Sequence, residues 1–468
     1  MSPTQVPGRR ASSVRFLLAL WVGKVVAWAI SMFFPQRGTN KSGVIASRIA
    51  PGFLAGFTGI NPQKTIFITG TNGKSTSNNL IVHAFRTAGH SVATNLEGAN
   101  LVTGIATALI KNSSLLGKLR ADYLICEVDE RSLARVRGAI PAGYLAVTNI
   151  QKDQVQRNGD PDYIVRKIAS AMDETMTVFV NNEEPRSSSL SSHARRTVRF
   201  SVSGNDRESS LGEYGVTMPC PMCHDALVFS SYNLANIGRF SCPTCGFSSA
   251  DNPDYRVEKA DWAAKVFSVN GHDFHLEYDA AHFLYNYALC YAVATEFGLT
   301  PGQIGRGFET FRNVGGRLEE FTYGSTSIRY LRIKQENPET LQNAIDDLSI
   351  SNHRDDGKTA FVLGLQLVHD FVPHYSNTAY FFDCDLGPLF ERGVETCICF
   401  GATNCYDAAT RLMYAGFPRD KIIVVDSDNP KDVLEAVARC GASRAYLMTM
   451  LGEYETIRRF ADRRMGVK

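Results

Sequence analysis

A chain of 468 residues, 44% hydrophobic and 21% charged, is long enough for two or three domains with sizeable cores. Its 49 basic and 47 acidic side chains leave a net charge of +2, so bulk electrostatics gives no case for a nucleic-acid binder. Eleven cysteines, four in a paired pattern and seven scattered (Cys126, Cys290, Cys384, Cys397, Cys399, Cys405, Cys440), argue against a disulfide framework and suit a reducing, cytoplasmic setting.

Residues 1–12 are polar, which predicts a loose terminal segment. From Arg15 to Phe34 the chain is apolar except at Lys24, which divides it into two runs, each too short to span a bilayer. A helix packed on the core is expected, with contact at the inner face of a membrane as the alternative. Residues 1–50 form this N-terminal apolar helical segment.

The next stretch organises the rest. Thr65–Thr69 reads as a buried strand, Gly70 breaks it, and Gly73-Lys74-Ser75-Thr76 opens a helix with Leu80, Ile81, Ala84 and Phe85 on one face. Strand, glycine turn and helix make a phosphate loop. Gly70 and Gly73 let the backbone of Gly70, Thr71, Asn72, Gly73, Lys74, Ser75 and Thr76 curl its N–H groups inward, and the helix N-terminus adds partial positive charge. Lys74 can reach terminal phosphates, and Ser75 or Thr76 can ligate Mg²⁺. The spacing departs from the common G-x-x-x-x-G-K-[ST], because Ile68 stands where the first glycine belongs.

To about Phe200 strands (Tyr123–Glu127, Leu145–Thr148, Thr177–Val180) alternate with helices, which predicts βαβ units and a mostly parallel sheet. Ligands of such sheets bind at the carboxyl ends of the strands. Glu127 lies at one such end, where a carboxylate can hold Mg²⁺ against phosphate oxygens. Thr148-Asn149 with Asp153-Gln154, and Asn181-Asn182-Glu183-Glu184-Pro185, lie at two others. Cys220-Pro-Met-Cys223 and Cys242-Pro-Thr-Cys245 are two knuckles at a separation suited to a closed tetrahedral Zn²⁺ site, in a ribbon spanning about 216–250. Asp279–Phe297 reads as a helix carrying His282 and Asn286, followed by a linker from Thr300 to Glu319. Beyond it Thr359–Leu363, Thr396–Phe400, Lys421–Val425 and Ala445–Met448 read as strands of a second, smaller α/β domain.

The short Gly-Thr-Asn-Gly-Lys-Ser-Thr loop resembles that of the Mur ligase superfamily, which uses ATP to join amino acids or ammonia to cell-wall precursors. In that likeness Glu127 matches the metal-binding glutamate, and Thr148-Asn149 with Asp153 matches a T-N-x-x-x-D element. Asn286 and Arg317 match nucleotide-side residues, the arginine within a Gly316-Arg317 hinge. Phe283 departs from an asparagine usual there. Gln154 replaces the usual histidine, and with the zinc ribbon this resembles the branch that amidates the glutamate of lipid II. Lys334 to Pro338 and the segment Asn377 to Asp385 resemble the C-terminal domain of that branch. There an aspartate completes the Cys-His-Asp triad of a separate GatD-type class I glutaminase subunit. Asp383 is the first choice and Asp385 the second, against the plainer reading of two acids capping a helix near Gly387. Cys384 has no base motif beside it.

The resemblance implies a central ATP-binding domain over 51–314, with the zinc ribbon inserted, and a C-terminal α/β domain over 315–468. It also implies ATP, Mg²⁺ and Zn²⁺ as cofactors and lipid II as acceptor. Two other readings stand beside it: an amino-acid-adding or folylpolyglutamate-type ligase, and a non-enzymatic docking module on a degenerate ATPase.

Overall fold

The computed structural model describes residues 13–33, 40–95, 100–154, 158–203, 218–234, 237–278, 281–312, 320–334, 337–351, 357–365, 378–387, 389 and 393–465. The chain divides into two compact units. The first comprises residues 1–151, 160–212 and 217–313, and the second residues 152–159, 213–216 and 314–468.

The first unit is built on a nine-stranded sheet in the order β11-β10-β9-β6-β5-β4-β1-β3-β2. At its centre β1 (Thr65–Thr69) pairs in parallel with β3 (Tyr123–Glu127) and β4 (Tyr144–Val147). All five residues of β1 are buried, as expected of a β-branched and aromatic run covered on both faces. The two-residue period assigns them to opposite cores. Ile66 and Ile68 join Phe85, Tyr287 and Phe308 on one face, and Phe67 joins Phe16, Phe53 and Leu109 on the other. β2 (Val92–Ala93), β5 (Thr177–Asn181), β6 (Arg196–Val202) and β9 (Tyr255–Asp261) continue the parallel sheet. β10 (Val266–Val269) and β11 (His272–His275) close it as an antiparallel meander. β7 (Val228–Leu234) and β8 (Ile237–Ser241) form a separate two-stranded ribbon.

Two expectations need correcting here. The first helix, α1 (Ser13–Phe33), runs unbroken through Lys24. The ammonium does not divide it, because its Nζ donates to the carbonyls of Ile110 (2.6 Å) and Ser113 (2.7 Å). These lie at the end of a second helix, α2 (Val102–Lys111), whose last C=O groups lack partners within the helix. Lys24 therefore reads as a helix-end cap rather than a break. Its pKa is lowered, by burial first and by Arg120 second. The other correction concerns the linker expected from Thr300. Its first part is a helix, α3 (Pro301–Thr310), opened by a capping box in which Thr300 and Gln303 satisfy each other's backbone N–H groups.

The second unit carries a six-stranded sheet in the order β12-β13-β17-β14-β15-β16. β13 (Thr326–Arg332), β17 (Arg444–Thr449), β14 (Thr359–Gly364), β15 (Val394–Phe400) and β16 (Ile422–Val425) run parallel, and β12 (Glu320–Tyr323) adds an antiparallel edge. Alternate residues of β14 again enter different cores, Phe361 and Leu363 on one face and Ala360 and Val362 on the other. The edge hairpin β12–β13 was not legible in the sequence, since it falls where a linker pattern gives way to short alternating residues.

Candidate active site

The phosphate loop has the predicted local form. β1 ends at Thr69, and α4 (Lys74–Thr87) begins straight after Gly73. Both loop glycines have positive φ, 124° at Gly70 and 79° at Gly73. They are also fixed by crowding. A Cβ on Gly70 would lie 2.3 Å from Thr148 Oγ1, and one on Gly73 would lie 2.7 Å from Asn286 Oδ1. At Gly70 the backbone of Asn149 closes the space as well, whereas at Gly73 a side chain would have to push the Asn286 amide aside.

The element at the end of β4 is the scaffold of that loop. Thr71 N donates to Asn149 O at 2.7 Å, Asn72 N to Asn149 Oδ1 at 2.9 Å, and Thr148 Oγ1 to Asn72 O at 2.7 Å. Gln151 completes it, accepting from Asn72 Nδ2 at 2.8 Å and donating its backbone N–H to Thr71 Oγ1 at 2.9 Å. Asn286, on α5 (Ala281–Glu296), is buried and accepts from Ser77 Oγ at 2.9 Å. With the loop's outer edge thus held, the first turn of α4 presents its N–H groups at a helix N-terminus, the arrangement that favours phosphate. Thr76 is buried on the same turn. Phe283, at the departing position, stacks on Tyr278 with ring centroids 4.4 Å apart.

Glu127 lies beside the loop as expected. Ser75 Oγ donates to Glu127 Oε2 at 2.6 Å, so a hydroxyl and a carboxylate converge where a hard cation would find oxygen ligands. The carboxylate is itself held. Asn95 exchanges two hydrogen bonds with the Glu127 backbone, at 2.8 and 3.0 Å, and Asn100 Nδ2 approaches Oε1 at 3.3 Å.

Lys74 shows what sequence reasoning missed. Its Nζ donates to Gly70 O, to Thr71 O at 3.1 Å and to Glu130 Oε1 at 2.8 Å, with both charged side chains about nine-tenths buried. Glu130 had no role assigned from sequence. Its signal was its place three residues after Glu127, just past the end of β3. The Asn181–Pro185 segment is structural. Glu184 caps a five-residue helix, accepting from Ser187 N at 2.7 Å, and also receives Ile150 N at 2.9 Å. Burial pushes its carboxyl pKa up, against the pull of Arg186 and the three N–H groups. Asn182 exchanges two hydrogen bonds of 2.9 Å with the Ala250 backbone, anchoring the end of the ribbon insertion.

In the ribbon the Sγ atoms of Cys220, Cys223, Cys242 and Cys245 all lie within 4.8 Å of one another, with Cys220 and Cys245 at 3.6 Å and Cys223 and Cys242 at 3.5 Å. A tetrahedron with metal–sulfur bonds of about 2.3 Å needs sulfurs about 3.8 Å apart, so the four thiols could hold a metal ion. Each knuckle turns through a residue of positive φ directly after its second cysteine, His224 at 68° and Gly246 at 74°. The backbone N–H of Cys245 is the main cause that draws the Cys242 thiol down to about 7. By contrast, Cys126 is pushed up to about 12 by burial, as suits a core thiol.

In the second unit Asp383 follows α6 (Thr378–Phe382) with its carboxylate well exposed, pairing with Lys152 Nζ. Asp385 is engaged locally, its Oδ1 accepting from Gly387 N at 2.9 Å. Cys384 is buried and its thiol pKa is pushed well up by burial, which removes it further from nucleophilic chemistry. Asp153 Oδ1 accepts from the buried Asn337 at 3.3 Å. Arg317 and Gly316 lie outside the described residues.

Two family models match the chain, the Mur ligase middle domain over residues 68–218 and the MurT ligase C-terminal domain over residues 335–454. A pseudomurein peptide ligase type C from Methanothermus fervidus shares the fold, with a TM-score of 0.66 at 16% identity over 88% of this chain and 80% of that one. MurF ligase from Thermotoga maritima, solved in complex with ADP, does so with a TM-score of 0.55 at 15% identity over 91% and 85%. The chain thus carries a Mur ligase middle domain followed by a C-terminal domain of the MurT type. It is similar to the MurT subunit of lipid II isoglutaminyl synthase (glutamine-hydrolysing) from Streptococcus pneumoniae, 27% identical over 93% of this chain and 94% of that protein. The Staphylococcus aureus (strain COL) counterpart is 26% identical over 81% and 84%.

Proposed function

We propose that this chain is the synthetase subunit of a glutamine-hydrolysing enzyme that amidates the α-carboxyl of D-glutamate in the lipid II stem peptide, giving D-isoglutamine. The observation that carries the reading is a preformed phosphate loop with Lys74 and the Ser75–Glu127 pair at its mouth, joined in one chain to a MurT-type C-terminal domain. ATP is assigned to residues 70–76, backed by Asn286 and, in the hinge, Arg317. The central domain then runs over 51–314 and the C-terminal domain over 315–468.

A carboxylate is a poor electrophile, and the loop answers that. The substrate carboxylate oxygen attacks the γ-phosphorus, the bond to ADP breaks, and an acyl phosphate forms. Lys74 leaves Glu130 to meet the charge on the transferred group, and the α4 N–H groups hold the phosphate oxygens. Ser75 and Glu127 would hold Mg²⁺, which would supply charge neutralisation there when bound. Ammonia then attacks the acyl carbon, phosphate departs, and a proton is lost to solvent. The ammonia comes from glutamine on a GatD-type class I glutaminase partner, whose histidine Asp383 orients. Zn²⁺ in the Cys₄ ribbon is structural, since a full thiolate shell leaves no open position. The reaction belongs on the cytoplasmic side, where ATP is.

The test is the full chain with its partner, lipid II, ATP and Mg²⁺, read by mass spectrometry of the product. Glutamine is expected to yield the amide. Asp383→Asn is expected to lose glutamine-driven product and keep product from added ammonium. Incorporation of a free amino acid in place of ammonia would overturn the reading in favour of an amino-acid-adding ligase.

A further inference from the structure

The helix α1 carries apolar residues on both of its faces. Phe16, Ala19, Leu20 and Gly23 are buried, and all lie in its first half. Phe16 packs against Phe53 and Phe57 with centroids 5.3 Å away. The opposite stripe, Leu18, Trp21, Val25, Trp28 and Met32, recurs at three- and four-residue intervals and is 47–63% exposed. A helix facing water carries polar residues on such a stripe. The stripe extends sideways. Trp21 Nε1 donates to Leu115 O at 2.9 Å, and Leu115 and Leu116 are 65% and 72% exposed. An apolar surface of this kind marks a contact site.

Charge identifies the contact. Residues 1–121 contain thirteen Lys and Arg and a single acid, Glu97, although the whole chain is nearly neutral. Among them Arg15, Lys111, Lys118 and Arg120 are exposed, on α1 itself or in the stretch that bears Leu115 and Leu116. Two of the three tryptophans of the chain lie on the stripe, and indole rings favour the headgroup boundary of a bilayer. Lys24 and Phe16 fasten the first half of α1 to the unit, so the helix lies along a surface rather than crossing it. Against a second copy, an isologous contact would bring two basic faces together.

We propose that the outer stripe of α1, with the Leu115–Leu116 turn, docks this chain in the plane of an anionic phospholipid bilayer. The stripe enters the headgroup–acyl boundary and the surrounding cations pair with lipid phosphates. The surface does not depend on the amidation reading, but it would bring the site to a lipid-anchored acceptor.

The experiment is flotation of the full chain with vesicles of phosphatidylcholine alone or mixed with phosphatidylglycerol, neither containing any acceptor. The mixed vesicles are expected to carry the protein, with a blue-shifted tryptophan emission and release by salt. Val25→Glu with Trp28→Glu is expected to weaken this roughly tenfold and leave ATP affinity unchanged. Wild-type protein that floats with neither vesicle overturns the proposal, as does equal binding by the variant. So does a dimer, or a complex with the glutaminase partner, that buries the stripe and abolishes flotation. Because ATP binding is read on the same samples, loss of docking is distinguishable from loss of the nucleotide site.

Discussion

The phosphate loop and the cysteine ribbon are both short sequence patterns in the same unit, yet they are held in different ways. The loop is arranged by distant parts of the chain: Asn149 and Gln151 bond its backbone and side chains, and Asn286 closes behind Gly73. The ribbon arranges its sulfurs within two local turns. Its own core is small: Met218, Cys220, Leu227, Phe240 and Cys242, with Cys223, Phe229 and Phe247 beside it. A site held by the whole unit is rigid before its ligand arrives. A site held by a handful of side chains would draw its stability from a bound metal, because so small a core buries too little apolar surface.

That contrast can be broken by experiment. The largest effect is expected from Lys74→Ala, which leaves the loop's scaffold in place and should lower ATP-dependent turnover roughly a hundred- to a thousandfold with an unchanged far-UV spectrum. Unaltered ADP release in that variant would sever the loop from the chemistry. Gly73→Ala comes next. Its positive φ costs about 1 kcal/mol, and its methyl would press on Asn286 Oδ1, so both melting temperature and ATP affinity should fall. If only affinity fell, the loop would be less tied to the fold than Asn286 implies. The smallest effect on nucleotide binding is expected from Cys242→Ser or a strong chelator. Either should release one equivalent of metal and loosen the ribbon to proteolysis, while ATP affinity stays within about twofold. A collapse of ATP affinity would mean that the Asn182–Ala250 anchor transmits ribbon disorder into the sheet.

Where sequence reasoning succeeded, the information was local. The strand–glycine–helix order, the two C-x-x-C knuckles and the alternation of strands and helices are set by backbone preferences over a few residues. Where it failed, tertiary contact decided. Lys24 looked like an interruption because the carbonyls it caps are some ninety positions away. The helix after Thr300 was hidden behind a Pro-Gly pair that signals a turn unless its capping box is noticed.

The sequence alone therefore determined which groups this chain can bring to its chemistry: a hydroxyl and a carboxylate that could hold a cation, an amine beside a helix N-terminus, and four sulfurs spaced for a metal. Only the folded structure decided how these groups are held. Glu130 takes up Lys74, Asn286 is set against Gly73, and a helix apolar on both faces leaves one of them outward. Such choices depend on which strands become neighbours, and neighbours in a parallel sheet are brought together by crossovers that no short window of residues contains.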